Sequence, residues 1–419
     1  MSDDKKDIAV NTWPYYSDNE ISAVVDVLSS GKVNYWTGNQ CREFEKEFAD
    51  LCHSKYAVAV ANGTVALELA LRALDIGPGD EVIVPSRTFI ATASAVIMCG
   101  AQPVFADIDA NSLNITVDTI RDVLSSQTKA IITVHVSGWP CDMDPILDLA
   151  EKHNIKVIED CAQAHGAVYK GRPIGSLGDV AAFSFCQDKI ITTGGEGGML
   201  VTNDKDVWEK AWSFKDHGKS YDAVYRYQHP PGFRWLHQSI GTNWRLTEIQ
   251  AAIGRQQLKK LPAWHAQRIK NASVLAREFK KNPALRVIEP PANIEHAYYK
   301  YDVFIVTDKL KKDWNRDRIM TALNEHGIPC FTGSCSEIYL ETAFDGYGKQ
   351  PKERLPVARV LGETGLTFLV HPTLGYGEMK HVCSVVKKVF AEAMNEEAMP
   401  VMRDSAHGEL EQGAIQITP

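Results

Sequence analysis

The sequence predicts an α/β fold: a large domain with a mostly parallel seven-stranded sheet between helices, followed by a smaller α+β C-terminal domain. From residue 55 to residue 202 short apolar runs alternate with turns and helical patterns, and strands that alternate with helices form mostly parallel sheets with right-handed crossovers. After about residue 283 this alternation stops. The predicted strands of the large domain are Tyr56–Ala61, Glu81–Pro85, Gln102–Ala106, Ala130–Val136, Lys156–Glu159, Val180–Phe185 and Gly198–Thr202.

Taken in order, the chain is predicted to contain an N-terminal arm at 1–16, the large domain at 17–282, the small domain at 283–399 and a tail at 400–419. Pro262 is expected to end a helix, because proline lacks the N–H group that a helix interior needs. Residues 203–240 show a less regular pattern. In the large domain, apolar residues at helical spacing predict helices at 17–30, Cys41–Leu51, Val65–Leu74, Phe89–Cys99, Met143–His153, Arg245–Leu261 and Ala263–Lys281.

The small domain is predicted to combine short strands with longer helices. Cys330 and Cys335 lie near His326, but this spacing is loose and has no second pair, so no metal site is predicted. Strands are expected at Arg286–Ile288 and Tyr301–Val306 and from Gly327, and helices near Asp313–His326, Glu353–Leu361 and Glu378–Asn395.

Composition excludes several classes of function. The 419 residues include 44% hydrophobic and 23% charged residues, which is typical of a globular protein. A net charge of −8 provides no basic surface for nucleic acid. The polar N-terminus has no secretory signal and no apolar run is long enough to span a membrane, so a cytoplasmic protein is expected. Nine cysteines without a C-x-x-C pair indicate free thiols.

Lys189 lies in the stretch from Phe183 to Leu200, between apolar residues and a cluster of glycines. A lysine is a nucleophile only when it is uncharged, which requires a desolvated pocket or a covalent carbonyl partner. The apolar flanks suit such a pocket, and glycines let the backbone pass close to a bound group. Taken alone, the stretch is equally consistent with a surface lysine on a turn between strands.

Two further stretches indicate a cofactor site. Asp160 follows a predicted strand, and in an open α/β sheet ligands bind at the carboxyl ends of the strands. Its carboxylate suits a proton on a heterocyclic nitrogen such as that of pyridoxal phosphate, although capping of the next helix is the alternative. Gly63 and Thr64 begin a predicted helix, so their free N–H groups suit an anion, or form an ordinary helix start.

Together and in this order, these stretches resemble the sugar aminotransferases of the DegT/DnrJ/EryC1/StrS family, within the pyridoxal-phosphate enzymes of fold type I. The similarity extends from about residue 15 to about residue 395, and these motifs in this order are far more specific together than any one of them. The other matching motifs are at Pro85–Thr92, Val134–Gly138, Gly175–Asp179 and Gly241–Arg245.

The resemblance implies pyridoxal 5'-phosphate as cofactor and assigns roles to residues. Lys189 is the implied Schiff-base lysine and the base that moves the proton between substrate and cofactor. Asp160 pairs with the pyridine nitrogen, and Gln163 lies near the phenolic oxygen. The remaining implied contacts are Phe89 stacked on the ring, the Gly63 backbone, Thr64 and Ser184 at the phosphate, and Asn243 reaching the phosphate from the neighbouring subunit of a homodimer.

Substrate contacts are expected in three parts of the chain. The aromatic pair Tyr35 and Trp36 suits the face of a sugar ring, but it is also consistent with packing in the core. The basic run that contains Arg226 and Arg234 suits phosphate or carboxylate groups, but it is also consistent with a solvated loop that crosses to the partner subunit. Further contacts to the acceptor are implied by the resemblance alone. The candidates are Tyr35 and Trp36, then Arg226 and Arg234, and finally His296, Ser336 and Tyr339.

The implied reaction moves an amino group from L-glutamate to a keto or aldehyde sugar, in amino-sugar biosynthesis for lipopolysaccharide or other surface glycans. The acceptor stays open between a nucleotide-linked sugar aminated at carbon 3 or 4 and the precursor of 8-amino-3,8-dideoxy-manno-octulosonate. A pyridoxal-phosphate sugar dehydratase and a non-catalytic regulator that binds the cofactor are the alternatives. Lys189 disfavours the first, because that branch of the family carries histidine there, and the lack of a basic patch disfavours the second.

Overall fold

The computed structural model describes residues 12–398. The first eleven positions of the predicted arm and the predicted tail at 400–419 lie outside the described residues. Within the described part of the chain, no helix is both long and apolar enough to cross a lipid bilayer.

The strands confirm the predicted series in the large domain and add short ones. Strand β4 ends at Val134, before the predicted end at Val136, because Val136–Gly138 forms a 3₁₀ turn. The strands are β1 (Tyr56–Val60), β2 (Glu81–Pro85), β3 (Gln102–Ala106), β4 (Thr128–Val134), β5 (Lys156–Asp160), β6 (Val168–Tyr169), β7 (Arg172–Pro173), β8 (Val180–Ser184), β9 (Gly198–Thr202), β10 (Leu285–Val287), β11 (Ile294–Glu295), β12 (Tyr301–Ile305), β13 (Cys330–Phe331) and β14 (Gly365–Phe368).

The central sheet of the large domain has seven strands in the order β1-β9-β8-β5-β4-β2-β3. Strand β9 is antiparallel to both of its neighbours, and the other pairs are parallel. Strands β2, β8 and β9 are buried along their whole length, as expected for a sheet covered by helices on both faces. The predicted α/β fold with a mostly parallel seven-stranded sheet is therefore confirmed.

The helices follow the apolar periodicity of the sequence. Three of them were not predicted: Val117–Arg121, Lys205–Phe214 and Tyr221–Tyr225, of which the last two lie in the less regular stretch at 203–240. Asp204 caps the helix Lys205–Phe214 by accepting the N–H groups of Asp206 and Val207. The helices are α1 (Asp18–Ser30), α2 (Gln40–Leu51), α3 (Gly63–Ala73), α4 (Ala91–Met98), α5 (Val117–Arg121), α6 (Met143–His153), α7 (Lys205–Phe214), α8 (Tyr221–Tyr225), α9 (Glu248–Phe279), α10 (Arg316–Glu325), α11 (Pro356–Thr364) and α12 (Tyr376–Ala393).

Helix α9 contradicts the prediction that Pro262 ends a helix. It runs unbroken for 32 residues with Pro262 in its interior. The proline removes one backbone hydrogen bond, but the helix is buried on both sides of it. Leu261 packs in the core of the large domain, and Leu275 packs in a second core. Tertiary packing along both halves therefore outweighs the local cost of the proline.

The second core belongs to the C-terminal part of the chain. There β10, β12, β14 and β13 form a four-stranded antiparallel sheet, covered by α10, α12 and the end of α9. Strand β14 was not predicted, although its four residues are all buried. Residues Ile338, Phe344 and Leu361 pack with the first core instead. The division of domains at 282 and 283 stays a prediction.

Candidate active site

A cleft of about 970 Å³ opens at the carboxyl ends of the parallel strands. Strands β4, β5 and β8 point the same way, so their last residues lie at one edge of the sheet. The cleft is lined by residues from the N-terminal and the C-terminal parts of the chain. The first part contributes the start of α3 and the ends of these strands, and the second contributes residues 299–300, 333–335, 338 and 341.

Asp160 lies at the bottom of the cleft and is 6% exposed. Its Oδ1 accepts the N–H of Ala162 at 3.1 Å, and its Oδ2 accepts the hydroxyl of Thr92 at 2.9 Å. Thr92 in turn lies 2.7 Å from the hydroxyl of Thr88. Burial raises the pKa of Asp160 in spite of these donors. A cationic ring nitrogen against this carboxylate would favour its ionised form.

The start of α3 forms a narrow cradle in the same cleft. Asn62 caps the helix by accepting the N–H of Val65, which leaves the N–H groups of Gly63 and Thr64 at the positive end of the helix. A Cβ atom on Gly63 would lie 2.6 Å from the Cβ of Ser184. Glycine is therefore required here, and the cradle suits an anion such as a phosphate.

Lys189 lies between Asp188 and Tyr299 in the same cleft. Its Nζ is 3.4 Å from Oδ1 of Asp188 and 5.1 Å from the centre of the Tyr299 ring, and its side chain is 18% exposed. Asp188 also accepts the Tyr299 hydroxyl and lies 3.8 Å from Nζ of Lys300. Burial acts to raise the pKa of Asp188, but the neighbouring Lys189, Tyr299 and Lys300 hold it below its ordinary value.

Trp13 holds the backbone of Lys189 from the N-terminal arm. Its indole Nε1–H donates to the Lys189 carbonyl at 2.9 Å. The same indole packs edge-on against Trp264 of α9 and stacks on His371 at a centroid distance of 6.0 Å. A residue 176 positions away thus helps to fix the loop that carries the lysine.

Gln163 and Phe89 also line the cleft. The Oε1 of Gln163 accepts the N–H of Ser137 at 2.7 Å, which turns its amide nitrogen towards Ser334 at 3.3 Å. Phe89 is 66% exposed in this chain. Asn243 is exposed and lies outside the residues that line the cleft of its own chain.

The residues predicted to contact the substrate do not line the cleft of their own chain. Tyr35 is 2% exposed and packs in the core, where its ring lies under the Lys215 ammonium group, so the alternative of core packing holds. Trp36 packs under Lys219 instead of in the cleft. His296 is buried, and its Nδ1 accepts the N–H of Tyr298.

Ser336 and Tyr339, which were also predicted to contact the substrate, point away from the cleft. Ser336 donates its hydroxyl to the Ala358 carbonyl at 2.5 Å, and the Tyr339 hydroxyl is bonded to Glu337. Because Ile338–Leu340 is a 3₁₀ turn, residues three apart share a side, and residues 338 and 341 are the ones that line the cleft.

The basic run at 225–235 does not reach the cleft of its own chain. Arg226 pairs with Asp222 at 2.8 Å, and Arg234 is exposed. The alternative in which this loop crosses to a partner subunit stays a prediction.

Sequence reasoning missed several residues of the cleft. Thr92 and Ser137 lie inside the recognised motifs Pro85–Thr92 and Val134–Gly138, so their place in these motifs could have identified them as residues of the cleft. Asp188 directly precedes Lys189. Lys300 carries no local signal, because only the packing of the C-terminal sheet brings it to the cleft.

His135, Glu159 and Cys161 form a buried group whose ligating atoms lie within 4.8 Å of one another. The Nδ1 of His135 accepts the N–H of Cys141 at 3.0 Å, so its Nε2 carries the hydrogen that Glu159 accepts at 3.2 Å. Glu159 also accepts the N–H groups of residues 175, 177 and 178. These hydrogen bonds already satisfy the group, so it fixes the loop behind Asp160.

The chain is similar to known proteins over most of its length. The model of the DegT/DnrJ/EryC1/StrS aminotransferase family matches residues 14–387. GDP-perosamine synthase of Escherichia coli O157:H7 is 36% identical over 355 residues, which are 85% of this chain and 91% of that protein. The UDP-N-acetyl-3-dehydro-alpha-D-glucosamine 3-aminotransferase of Acidithiobacillus ferrooxidans is 38% identical over 354 residues, which are 84% of this chain and 89% of that protein.

Solved structures share the fold. An aminotransferase from Psychrobacter cryohalolentis is 55% identical, with a TM-score of 0.90 over 91% of this chain and 99% of that chain. The pyridoxal-phosphate form of Spr1654 from Streptococcus pneumoniae is 26% identical, with a TM-score of 0.81 over 90% of this chain and 97% of that chain.

The shared fold and the cleft, with a lysine, a buried aspartate and an anion cradle, define a pyridoxal-phosphate-dependent aminotransferase of fold type I. The chain belongs to the DegT/DnrJ/EryC1/StrS aminotransferase family, and it is a sugar aminotransferase. The predicted family, cofactor and enzyme class are thereby confirmed.

Proposed function

We propose that this enzyme transfers an amino group from L-glutamate to a keto or aldehyde group of a sugar used in a surface glycan, in the cytoplasm. The observation that carries the proposal is that Lys189 and Asp160 line one cleft of about 970 Å³, which has room for a cofactor and a sugar together. Lys189 is the nucleophile and moves the proton at the reacting carbon, and Asp160 holds the proton on the cofactor ring.

The remaining residues bind and orient. Bound pyridoxal phosphate supplies an electron sink. Thr92 orients the Asp160 carboxylate, Phe89 covers the ring, and Gln163 lies at the phenolic oxygen with its amide fixed by Ser137. At the cradle, Gly63, Thr64 and Ser184 hold the phosphate.

A homodimer completes the proposed site. Phe89 is 66% exposed in the single chain although it lines the cleft, and a second subunit would cover it. Asn243 lies on the surface, outside the cleft of its own chain. We infer that it reaches the phosphate in the cleft of the neighbouring subunit.

The visible absorbance of the cofactor-loaded enzyme before and after addition of L-glutamate tests the donor. Bleaching of the visible band with formation of 2-oxoglutarate is expected. An unchanged band would overturn L-glutamate as the donor, and a product without added nitrogen would favour the dehydratase.

The proposed acceptor is a nucleotide-linked sugar aminated at carbon 3 or 4, or the octulosonate precursor. The names of the two relatives, one a GDP-sugar enzyme and one a UDP-sugar enzyme, support the first kind. A nucleotide-linked acceptor predicts that GDP, UDP or dTDP raises the melting temperature, since a ligand stabilises the state that binds it. If none of them does, the octulosonate is favoured.

A further inference from the structure

Arg268, in the second half of α9, is a buried cation without an acid beside it. It is 1% exposed, and among the described residues its guanidinium forms no ion pair and its Nε and Nη2 have no hydrogen-bond partner. Burial lowers its pKa to about 9. Because burying an unpaired charge is unfavourable, a hydrophobic side chain of similar size would suit simple packing better.

The unbroken course of α9 decides where Arg268 lies. Leu261, Arg268 and Leu275 follow one another at intervals of seven residues, which places them on one face of the helix. Leu261 packs in the core of the large domain, and Leu275 packs in the core of the C-terminal part. On this face Arg268 lies between the residues that reach the two cores, and it is not among the residues that line the cleft.

Arg268 holds a strained turn of the chain next to the cleft. Its Nη1 donates to the carbonyl of Tyr298 at 3.2 Å and to that of Tyr299 at 3.1 Å. Tyr298 has a φ of 48°, in the left-handed region that a bulky side chain adopts only at a cost in free energy. The N–H of Tyr299 donates to the Ser137 carbonyl at 3.0 Å. This turn places the Tyr299 ring 5.1 Å from Nζ of Lys189.

The same guanidinium contacts the N-terminal arm. Its Cζ lies 5.2 Å from the centre of the Trp13 ring, within the range of a cation–π interaction. The indole Nε1–H of Trp13 donates to the Lys189 carbonyl at 2.9 Å. Arg268 therefore contacts two residues that adjoin the lysine, Tyr299 beside its amine and Trp13 on its backbone.

We propose that Arg268 is a positioning residue for Lys189, which it holds in place through Trp13 and through the turn at Tyr299. A hydrophobic side chain could not donate to two carbonyl groups or attract an indole ring, so this role explains a charged side chain at a buried position. The inference rests on the proposed function, in which Lys189 is the nucleophile.

Covalent uptake of pyridoxal phosphate by the cofactor-free enzyme tests the position of the lysine. In this step Nζ of Lys189 bonds to the aldehyde carbon, and the two amine hydrogens leave with the aldehyde oxygen as water. Stopped-flow absorbance gives the rate at which the visible band forms. Arg268→Met should lower this rate about tenfold, because a displaced reacting group reacts more slowly. Arg277→Met, on an exposed arginine of the same helix, is the control.

The half-reaction with L-glutamate provides a second measurement. In Arg268→Met the maximal rate of bleaching should fall by a similar factor. The L-glutamate concentration that gives half of this rate should change by less than about twofold, because Arg268 does not line the cleft.

Double variants distinguish positioning from a general loss of structure. Arg268→Met is combined with Trp13→Phe and, separately, with Tyr299→Phe, and uptake is measured well below each melting temperature. If Arg268 acts through these residues, the double variants lose less than the product of the two single effects. Independent effects would multiply in both combinations.

The inference is overturned if Arg268→Met takes up the cofactor within about twofold of the wild-type rate, or if its effect multiplies with that of both partners. Should Arg268→Met fail to fold, Arg268→Lys, which keeps the charge but lacks the planar fork, is judged by the same two criteria.

Failure of the proposed function would be recognised separately. If Lys189→Ala formed the same covalent band, Lys189 would not be the nucleophile, whatever Arg268→Met showed. If L-glutamate were not the donor, the uptake measurement would still hold, because it needs no amino donor.

Discussion

At the scale of single residues, the proposed chemistry depends on an amine whose surroundings are fixed from three sides. Lys189 has Asp188 beside its Nζ, the Tyr299 ring within 5.1 Å and the indole of Trp13 on its carbonyl. The first two contact the amine itself, whereas the third holds the backbone that carries it. The surroundings of the amine and its position can therefore be tested separately.

Replacing Lys189 by alanine should abolish transfer of the amino group while the cofactor still binds without a covalent bond. The cradle at Gly63 and the carboxylate of Asp160 are unchanged in this variant, and in the proposed site they hold the two ends of the cofactor. Turnover is measured with L-glutamate, and cofactor content is measured after dialysis. Turnover close to that of the wild type would exclude Lys189 as the nucleophile.

Replacing Trp13 by phenylalanine removes the N–H donor to the Lys189 carbonyl and keeps an aromatic ring against Trp264 and His371. A neutral hydrogen bond contributes about 0.5–1.5 kcal/mol, so the rate of the glutamate half-reaction should fall about three- to tenfold. Stopped-flow absorbance measures this rate, with Tyr15→Phe on the exposed neighbour as control. An unchanged rate in Trp13→Phe would mean that the indole only packs.

At the scale of elements, the length of α9 is decided by tertiary packing against the local effect of a proline. The sequence pattern ended a helix at Pro262, yet α9 continues to Phe279 because each half has its own core to pack against. The start of α9 follows local rules instead: Thr247 and Gln250 form a capping box at its N-terminus. The sequence pattern had placed this start at Arg245, a few residues too early.

Replacing Thr247 by alanine should lower the free energy of unfolding by about 1 kcal/mol, since it removes the side chain that accepts the N–H of Gln250. Thr247 is exposed, so loss of core packing does not contribute. Urea unfolding at fixed protein concentration measures the change. Thr321→Ala, on an exposed threonine inside α10, is the matched control, and an equal loss there would refute a specific capping effect.

At the scale of the whole molecule, three buried histidines make the fold sensitive to acid. Burial lowers the pKa of His165 and of His296 to about 3 and that of His371 to about 4, from an ordinary value of 6.5. Between pH 6.5 and the lowered pKa values, the unfolded chain binds more protons than the folded chain. The contribution of these histidines to the free energy of unfolding is therefore complete above pH 6.5, and it is lost as the pH falls towards their pKa values in the folded protein.

Below pH 6 each of these histidines should lower the free energy of unfolding by about 1.4 kcal/mol per pH unit. His165 lies among the rings of Phe48, Phe183 and Phe185, so the variant His165→Leu should fold. In this variant the slope of the free energy of unfolding against pH should decrease by the equivalent of about one bound proton. Urea unfolding of wild type and variant at pH 5.0, 5.5 and 7.0 gives the two slopes. Equal slopes would show that His165 is not a buried neutral group.

The sequence alone determined the large domain and the centre of the site. The alternation of strands and helices specified the parallel sheet, and in such a sheet a residue at the end of a strand lies at the ligand edge, so Asp160 and the start of α3 were placed by local pattern. Lys189 was identified because its stretch, together with those of Asp160 and Gly63, resembles a known family.

Only the tertiary structure decided the far wall of the cleft. Lys300 and Trp13 carry no local signal, and Tyr35, Ser336 and Tyr339, which were expected to contact the substrate, are turned into the protein. The physical reason is the range of the interactions. Hydrogen bonding and apolar periodicity within a few residues fix an element, whereas the residues that meet across a cleft are chosen by how distant elements pack.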